Sequence, residues 1–302
     1  MTHRQAVLVM IAVTLMWSIA GVVSRQLEQA RSFEVTFWRS LFNALALVGM
    51  LAWLRGPAPL WRSLREGGRA LWLSGLCWSV MFTAFMVAIT LTTVANVLVT
   101  MAIAPLLTAL VARLALGHRL AVRTWAAIVV AGLGIGWMHA GEVSGSDPRH
   151  LLGTAVALGV PVAAAVNWTL MQHISRVARS SAVPDMLPAV LIGAVLSCVV
   201  TLPLSLPFAA SASDLGWLAV LGVVQLAIPC LLAVSASRVL SAPEVSLLAL
   251  LEVVFGVAWA WLGAGESPSV PVLGGGALVL AALAANEAVA LRERREAPLV
   301  PI

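Results

Sequence analysis

The chain has 302 residues, of which 61% are hydrophobic and only 10% are charged, and its formal net charge is +5. Soluble domains carry about 25% charged residues, so this composition excludes an ordinary water-soluble enzyme and predicts a protein surrounded by lipid. All basic residues are arginines, scattered at the ends of apolar runs without interleaved aromatic residues, which argues against a nucleic-acid partner.

Ten apolar stretches are long enough to cross a bilayer, since a spanning helix needs about 20 mostly apolar residues. In chain order they cover residues 6–24, 33–54, 70–90, 93–113, 122–140, 151–173, 186–206, 215–236, 243–263 and 270–290. The third and fourth stretches are separated only by the polar step Leu91-Thr92-Thr93. The sequence therefore predicts an all-α integral membrane protein with ten transmembrane helices.

The arginines also predict the orientation of these helices. Fourteen of them fall in segments on the side of the N-terminus, whereas only Arg25, Arg31 and Arg149 fall on the other side. Because positive charge accumulates in cytoplasmic segments, we expect a multi-pass protein with both termini in the cytoplasm. Residues 291–302 then form a short cytoplasmic tail.

Short matches between the two halves of the chain indicate an internal repeat. Trp17-Ser18 and Ser24-Arg25 recur as Trp168-Thr169 and Ser175-Arg176 at a constant offset of 151. A second series at an offset of 148 begins with Val97 and Val245. Together they predict one five-helix repeat in residues 1–145 and a second in residues 146–290. Since five is odd, the second repeat is inverted, an arrangement typical of secondary transporters with a mid-membrane site between the repeats.

Several motifs are typical of one known family: Met16-Trp17-Ser18, Phe37-Trp38-Arg39, Leu251–Phe255, Gly265-Glu266 and Gly274-Gly275-Gly276. With them the chain resembles the drug/metabolite transporter superfamily in its ten-helix EamA-type branch, over about residues 6–290. Within that branch it is most similar to YddG-type aromatic amino acid exporters. Val253 stands where many relatives have a proline after the glutamate.

The resemblance implies a secondary transporter of the bacterial inner (plasma) membrane that works by alternating access between its two halves. It also implies export. It does not define the substrate, because relatives carry amino acids, metabolites, nucleotide sugars or sugar phosphates.

Three tryptophans lie deep within the predicted spans and are candidates for contact with a solute. Trp17 and Trp168 occupy equivalent positions in the two repeats, and Trp78 lies midway along the third span. An indole at such a depth can stack on an aromatic side chain or cover an ammonium group. The alternative is that these rings fill helix contacts, with Ser18 and Thr169 allowing close packing.

Four amides are expected at membrane depth: Asn43, Asn96, Asn167 and Gln225. An unsatisfied amide in hydrocarbon costs several kcal/mol, so each should face protein or a wet cavity. There they could hold the carboxylate and ammonium of a zwitterion, or they could form hydrogen bonds between helices.

Glu252 is an acid near the middle of a predicted span, where a charge costs on the order of 3 kcal/mol. It could bind a substrate ammonium, accept a proton from a coupling gradient, or serve as a structural acid. Arg39 lies near the outer end of its span. We expect it to snorkel outward, and pairing with Glu34 or a loop acid is at least as reasonable as contact with substrate.

These features favour a small-molecule carrier over other classes of protein. The sequence lacks the motifs of hydrolases, nucleotide-binding enzymes and metalloproteases, and three cysteines without CxxC spacing predict no metal site. We expect no cofactor and no enzymatic activity. Carriers of phosphorylated solutes need buried cations, and this sequence has no lysine and at most Arg39 within a span. A neutral or zwitterionic solute fits better, and the best prediction is a hydrophobic, mainly aromatic amino acid. The alternative is a cationic or lipophilic drug. The oligomeric state stays open, a monomer included.

Overall fold

The computed structural model describes residues 1–24, 26–30, 32–92, 94–117, 121–138, 148–177, 185–264 and 270–296. Within these ranges all regular structure is helical and no strand occurs. The helices are α1 (His3–Trp17), α2 (Ala20–Ser24), α3 (Ser32–Arg55), α4 (Pro57–Glu66), α5 (Arg69–Leu91), α6 (Val94–Met101), α7 (Ala104–Leu116), α8 (Val122–Met138), α9 (Pro148–Val177), α10 (Pro188–Ser205), α11 (Ala212–Val220), a π-helical segment (Leu221–Ala227), α12 (Ile228–Ala236), α13 (Ala242–Ala249), α14 (Leu251–Ala264) and α15 (Val270–Glu296).

Six helical stretches are long and apolar enough to cross a membrane: His3–Ser24, Phe33–Arg55, Arg69–Leu91, Leu151–Val177, Pro188–Ser205 and Ala212–Ala236. The other four predicted spans correspond to shorter or interrupted helices, namely α6 with α7, α8, α13 with α14, and α15. The prediction of an all-α membrane protein with ten transmembrane helices in two inverted repeats is thereby confirmed. The helix α4, which lies between the second and third crossings, was not predicted.

Two of the crossings are interrupted at equivalent positions. The fourth breaks at Ala102 and Ile103, between α6 and α7, and the ninth breaks at Leu250, between α13 and α14. These sites correspond to each other at the sequence offset of 148. Pro105 lies in the first turn of α7, where a missing N–H costs no helical hydrogen bond. Each break therefore begins a new helix within the membrane.

Glycines allow close packing where the central helices cross. A Cβ atom on Gly193 of α10 would fall on the Cβ of Trp78 and only 3.0 Å from the carbonyl oxygen of Gly75 in α5. A Cβ on Gly222 would lie 2.8 Å from the carbonyl oxygen of Arg39 and from the amide nitrogen of Asn43 in α3. Helices in lipid associate through such small residues because their backbones can then approach closely.

Hydrogen bonds hold α3 against its neighbours α5 and α10. The hydroxyl of Ser197 lies 3.0 Å from that of Ser40 and 2.9 Å from that of Thr83. At one end of α3 the carboxylate of Glu34 accepts hydrogen bonds from the backbone N–H groups of Ala209 and Ala210. These contacts keep the first part of α3 in one position relative to α5 and α10.

The eighth crossing changes its helical geometry in the middle. Pro229 in the first turn of α12 has no N–H to donate to the carbonyl of Gln225, and the chain just before it is π-helical over Leu221–Ala227. Such segments are rare and occur often at functional sites. Gln225 is buried within this segment.

Polar contacts between side chains join several helices at the face of the bundle that carries the N-terminus. Asp185 pairs with Arg55 at the end of α3, and its other oxygen lies 3.5 Å from Arg238, which follows α12. His3 at the start of α1 lies 3.4 Å from Glu244 in the first turn of α13. Elements of both sequence repeats are thus connected at this face.

We predict that Gly222→Ala destabilises the protein because the added methyl group would force α3 away from the eighth crossing. Overpacking of this kind costs about 1–3 kcal/mol. The thermal unfolding midpoint in detergent should fall for Gly222→Ala. Gly216→Ala in the same crossing is the control, because a Cβ there meets nothing within 4 Å. Equal midpoints for the two variants would contradict the close approach.

Candidate functional site

A cavity lies in the middle of the bundle, beside the interruptions in the fourth and ninth crossings. It contains about 950 Å³ of space between protein atoms, including the part open to solvent. Its walls come from α1, α3, α5, α6 and α7 in the first half of the chain, and from α9, the π-helical segment, α12, α13 and α14 in the second half. The cavity is therefore shared by the two sequence repeats.

The three predicted tryptophans meet in this cavity. Trp17 ends α1, and the rings of Trp78 and Trp168 lie edge to face at a centroid distance of 5.6 Å. Phe82 lies one turn beyond Trp78, with ring centroids 5.5 Å apart. The crossing at Gly193 holds the backbone of Trp78 against α10. The result is an aromatic wall whose rings can contact an apolar or aromatic ligand.

Arg39 also lines the cavity, and here the prediction of an outward-snorkelling arginine is wrong. The side chain is only 2% exposed, and one Nη donates to the carbonyl oxygen of Phe82 at 3.0 Å. Glu34, the proposed partner, instead accepts hydrogen bonds from Ala209 and Ala210. The side chain turns inward because Arg39 lies about two turns inside α3, on the side that faces α5 and the cavity. The hydrogen bonds between α3 and α10 keep the helix in this position.

Glu252 lies in the first turn of α14, directly after the break in the ninth crossing. The positive end of the helix dipole favours a carboxylate at this position. Glu252 is half-buried and lines the cavity, and no described residue forms a hydrogen bond or ion pair with it. A charged group at membrane depth that keeps access to the cavity can bind a ligand or exchange a proton.

Gln225 reaches the cavity from the π-helical segment. Its side-chain nitrogen donates to the backbone carbonyl of Trp17 at 3.3 Å, while its side-chain oxygen is buried without a partner. The Nε atom of Arg39 and the indole nitrogen of Trp78 are likewise buried without a partner among the described residues. The cavity wall thus contains both hydrogen-bond donors and an acceptor that the described part of the chain leaves unused.

Two of the three predicted asparagines, Asn43 and Asn167, are not among the described residues of the cavity wall. Asn167 is fully buried and accepts a hydrogen bond from Ser74 at 2.6 Å, which matches the alternative of a hydrogen bond between helices. Asn43 is fully buried beside Gly222, and neither of its amide atoms has a partner in the described part of the chain. The side chain of Asn96 lies outside the described residues.

Besides Arg39, sequence analysis missed several apolar residues of the cavity wall, including Met81, Phe85 and Met101. Arg39 was detectable by the rule that identified Glu252, because both are charges inside a predicted span. The apolar residues carried no such signal, since methionine and phenylalanine occur throughout the membrane helices. Only helix packing decides which of them face the cavity.

The fold and the cavity together define a multi-pass membrane protein with a central cavity between its two sequence repeats. The sequence matches the EamA-like transporter family twice, over residues 4–139 and 151–286. The chain therefore belongs to the EamA-like transporter family of the drug/metabolite transporter superfamily, whose members are transporters of small molecules and not enzymes. None of the curated proteins compared with the chain matches it significantly.

A solved structure, titled only as the crystal structure of a protein, shares this architecture. It superimposes with a TM-score of 0.75, covering 94% of this chain and 99% of the other, at 16% sequence identity. At that identity the similarity concerns the fold alone. It supports the helix arrangement around the cavity and carries no information about a substrate.

We predict that Ser74→Ala lowers stability, because the Asn167 side-chain oxygen would be left buried without its donor. Such a loss costs about 1–3 kcal/mol, which should appear as a lower thermal unfolding midpoint in detergent. Ser63→Ala is the control, since the Ser63 hydroxyl donates within its own helix to the carbonyl of Leu60. A midpoint unchanged in Ser74→Ala would contradict the structural importance of this bond.

Proposed function

We propose that the protein is a secondary transporter that exports hydrophobic amino acids, aromatic ones above all, across the bacterial inner membrane. The observation that carries this proposal is that Trp17, Trp78 and Trp168 line the same cavity as Glu252, whose carboxylate has no partner among the described residues. The resemblance to YddG-type aromatic amino acid exporters supports the substrate class and the direction.

The chemistry of the cavity suits an aromatic amino acid at both ends of the molecule. Indole rings contribute about 0.5–1.5 kcal/mol per aromatic pair beyond the burial of area. A carboxylate supplies a charge-assisted hydrogen bond to an ammonium group, at roughly twice the strength of a neutral one. Nucleotide sugars and sugar phosphates fit less well, because Arg39 is the one cation among the described cavity residues.

Alternating access fits the way in which the two repeats meet. The cavity is formed by both halves of one chain, so a monomer contains a complete site. The contacts of Asp185 with Arg55 and Arg238 connect both halves at the face of the N-terminus. Breaking and reforming these contacts would let the halves tilt around the cavity. In this proposal both termini are cytoplasmic, following the distribution of arginines.

The test is counterflow of radiolabelled tryptophan and phenylalanine into proteoliposomes of the purified protein, with and without a pH gradient. We expect accelerated flux that excess unlabelled substrate inhibits. Glu252→Gln should reduce the apparent affinity for tryptophan about tenfold or more, since it removes a charge-assisted hydrogen bond. A pH gradient that drives wild-type flux but not Glu252→Gln flux would assign proton coupling to this acid.

Two outcomes would contradict the proposal. One is the absence of flux for every amino acid tested. The other is transport of a cationic dye or a lipophilic drug in place of amino acids, which would favour the second candidate function. That candidate rests on the same observation, because a carboxylate surrounded by indoles also attracts an organic cation.

We predict that Trp168→Leu weakens tryptophan binding about tenfold, because the variant removes one ring of the aromatic wall. Apparent affinities from inhibition of counterflow measure the effect. The matched control is Trp53→Leu, since Trp53 lies 85% exposed near the end of α3 and away from the cavity. Equal loss in both variants would indicate a general effect on folding and contradict a specific role for Trp168.

A further inference from the structure

Two opposite charges line the cavity without forming an ion pair. Among the described residues of the cavity wall, Arg39 and Glu252 are the charged ones. Both line the same cavity, yet no contact within 4 Å joins them in the described part of the chain. Arg39 comes from the first repeat and Glu252 from the second, so each repeat contributes one charge to the shared cavity.

Both side chains have binding capacity that the protein leaves unused. A guanidinium has five N–H donors, and the structure shows one hydrogen bond from Arg39, to the carbonyl of Phe82. Its Nε is buried without a partner among the described residues. The carboxylate of Glu252 has no partner among them either. A charge away from bulk water is destabilised when it lacks a partner, so a ligand that supplies the missing partners would gain affinity at this site.

We propose that Arg39 binds the carboxylate of the transported solute and that Glu252 binds its ammonium group. This inference rests on the proposed function and deepens it by naming the residue that recognises each charged group of the amino acid. Guanidinium and carboxylate form paired hydrogen bonds of matching geometry. The apolar side chain of the solute then lies against Trp78 and Trp168.

The same arrangement excludes ligands that carry only one of the two charges. A simple amine would leave Arg39 unpaired in the cavity, and a simple acid would leave Glu252 unpaired. A site whose charged groups lose their partners discriminates strongly, because the unpaired group keeps its desolvation cost. Arg39 is therefore the residue that separates amino acids from organic cations, which Glu252 and the indoles alone would accept.

The experiment compares three indole compounds that differ only in their charged groups: tryptophan, tryptamine and indole-3-propionate. Binding to purified protein in detergent is measured by calorimetry, and transport by inhibition of tryptophan counterflow. Wild-type protein should bind tryptophan at least about tenfold more tightly than either of the other two. Tryptamine binding as tight as that of tryptophan would overturn the inference.

Substitutions of Arg39 and Glu252 then test which charged group of the solute each residue binds. Arg39→Met should reduce the preference for tryptophan over tryptamine at least about tenfold, and Arg39→Lys should retain part of it, because it keeps the charge but not the paired hydrogen bonds. Glu252→Gln should reduce the preference for tryptophan over indole-3-propionate by a similar factor. Arg62→Met is the matched control, because Arg62 is exposed on α4 and away from the cavity. A correctly folded Arg39→Met with the wild-type preference would overturn the inference.

Two further comparisons distinguish a change in ligand preference from a loss of folding and from a loss of transport. Elution as a single species and an intact thermal transition establish that a variant is folded. If Arg39→Met fails to fold, the wild-type ranking and Arg39→Lys decide the question. Wild-type protein that binds tryptophan in preference to tryptamine but shows no flux would contradict the proposed function and support the charge assignment. Absence of tryptophan binding would overturn both.

Discussion

The arrangement of this protein depends on one constraint: polar groups in the hydrocarbon core have no water to bind, so the protein or a cavity must supply their partners. Helices satisfy the backbone, and pairs such as Ser74 with Asn167 satisfy side chains between helices. Arg39 and Glu252 keep unused binding capacity among the described residues, and both line the same cavity. A solute in that cavity could supply the partners that the surrounding helices do not.

The two repeats contribute unequally to that site. Both have an interrupted crossing at equivalent positions, but the first has Ala104-Pro105 after the break where the second has Glu252-Val253. Proline and glutamate both suit the first turn of a helix, the former because it needs no N–H and the latter because its charge opposes the dipole. Duplication thus supplies the shared backbone geometry, and divergence supplies the anion in one copy.

Close packing and the cavity wall are connected through α3. Gly222 allows the π-helical segment to approach α3 at Arg39 and Asn43, and Ser197 joins α3 to α5. The first contact brings Gln225 toward the cavity, and the second holds Arg39 beside the carbonyl of Phe82. A site on rigid elements of this kind positions charges more reliably than a loop does.

The sequence by itself determined the membrane environment, the ten helices and their repeat, because hydropathy and span length are local properties of the chain. It also identified Trp17, Trp78, Trp168, Gln225 and Glu252, since aromatic, amide and acidic groups deep in lipid are unusual enough to single out. It could not decide that Asn167 meets Ser74 while Arg39 turns inward. A side chain's direction depends on which helix lies opposite it, and that is a property of tertiary packing alone.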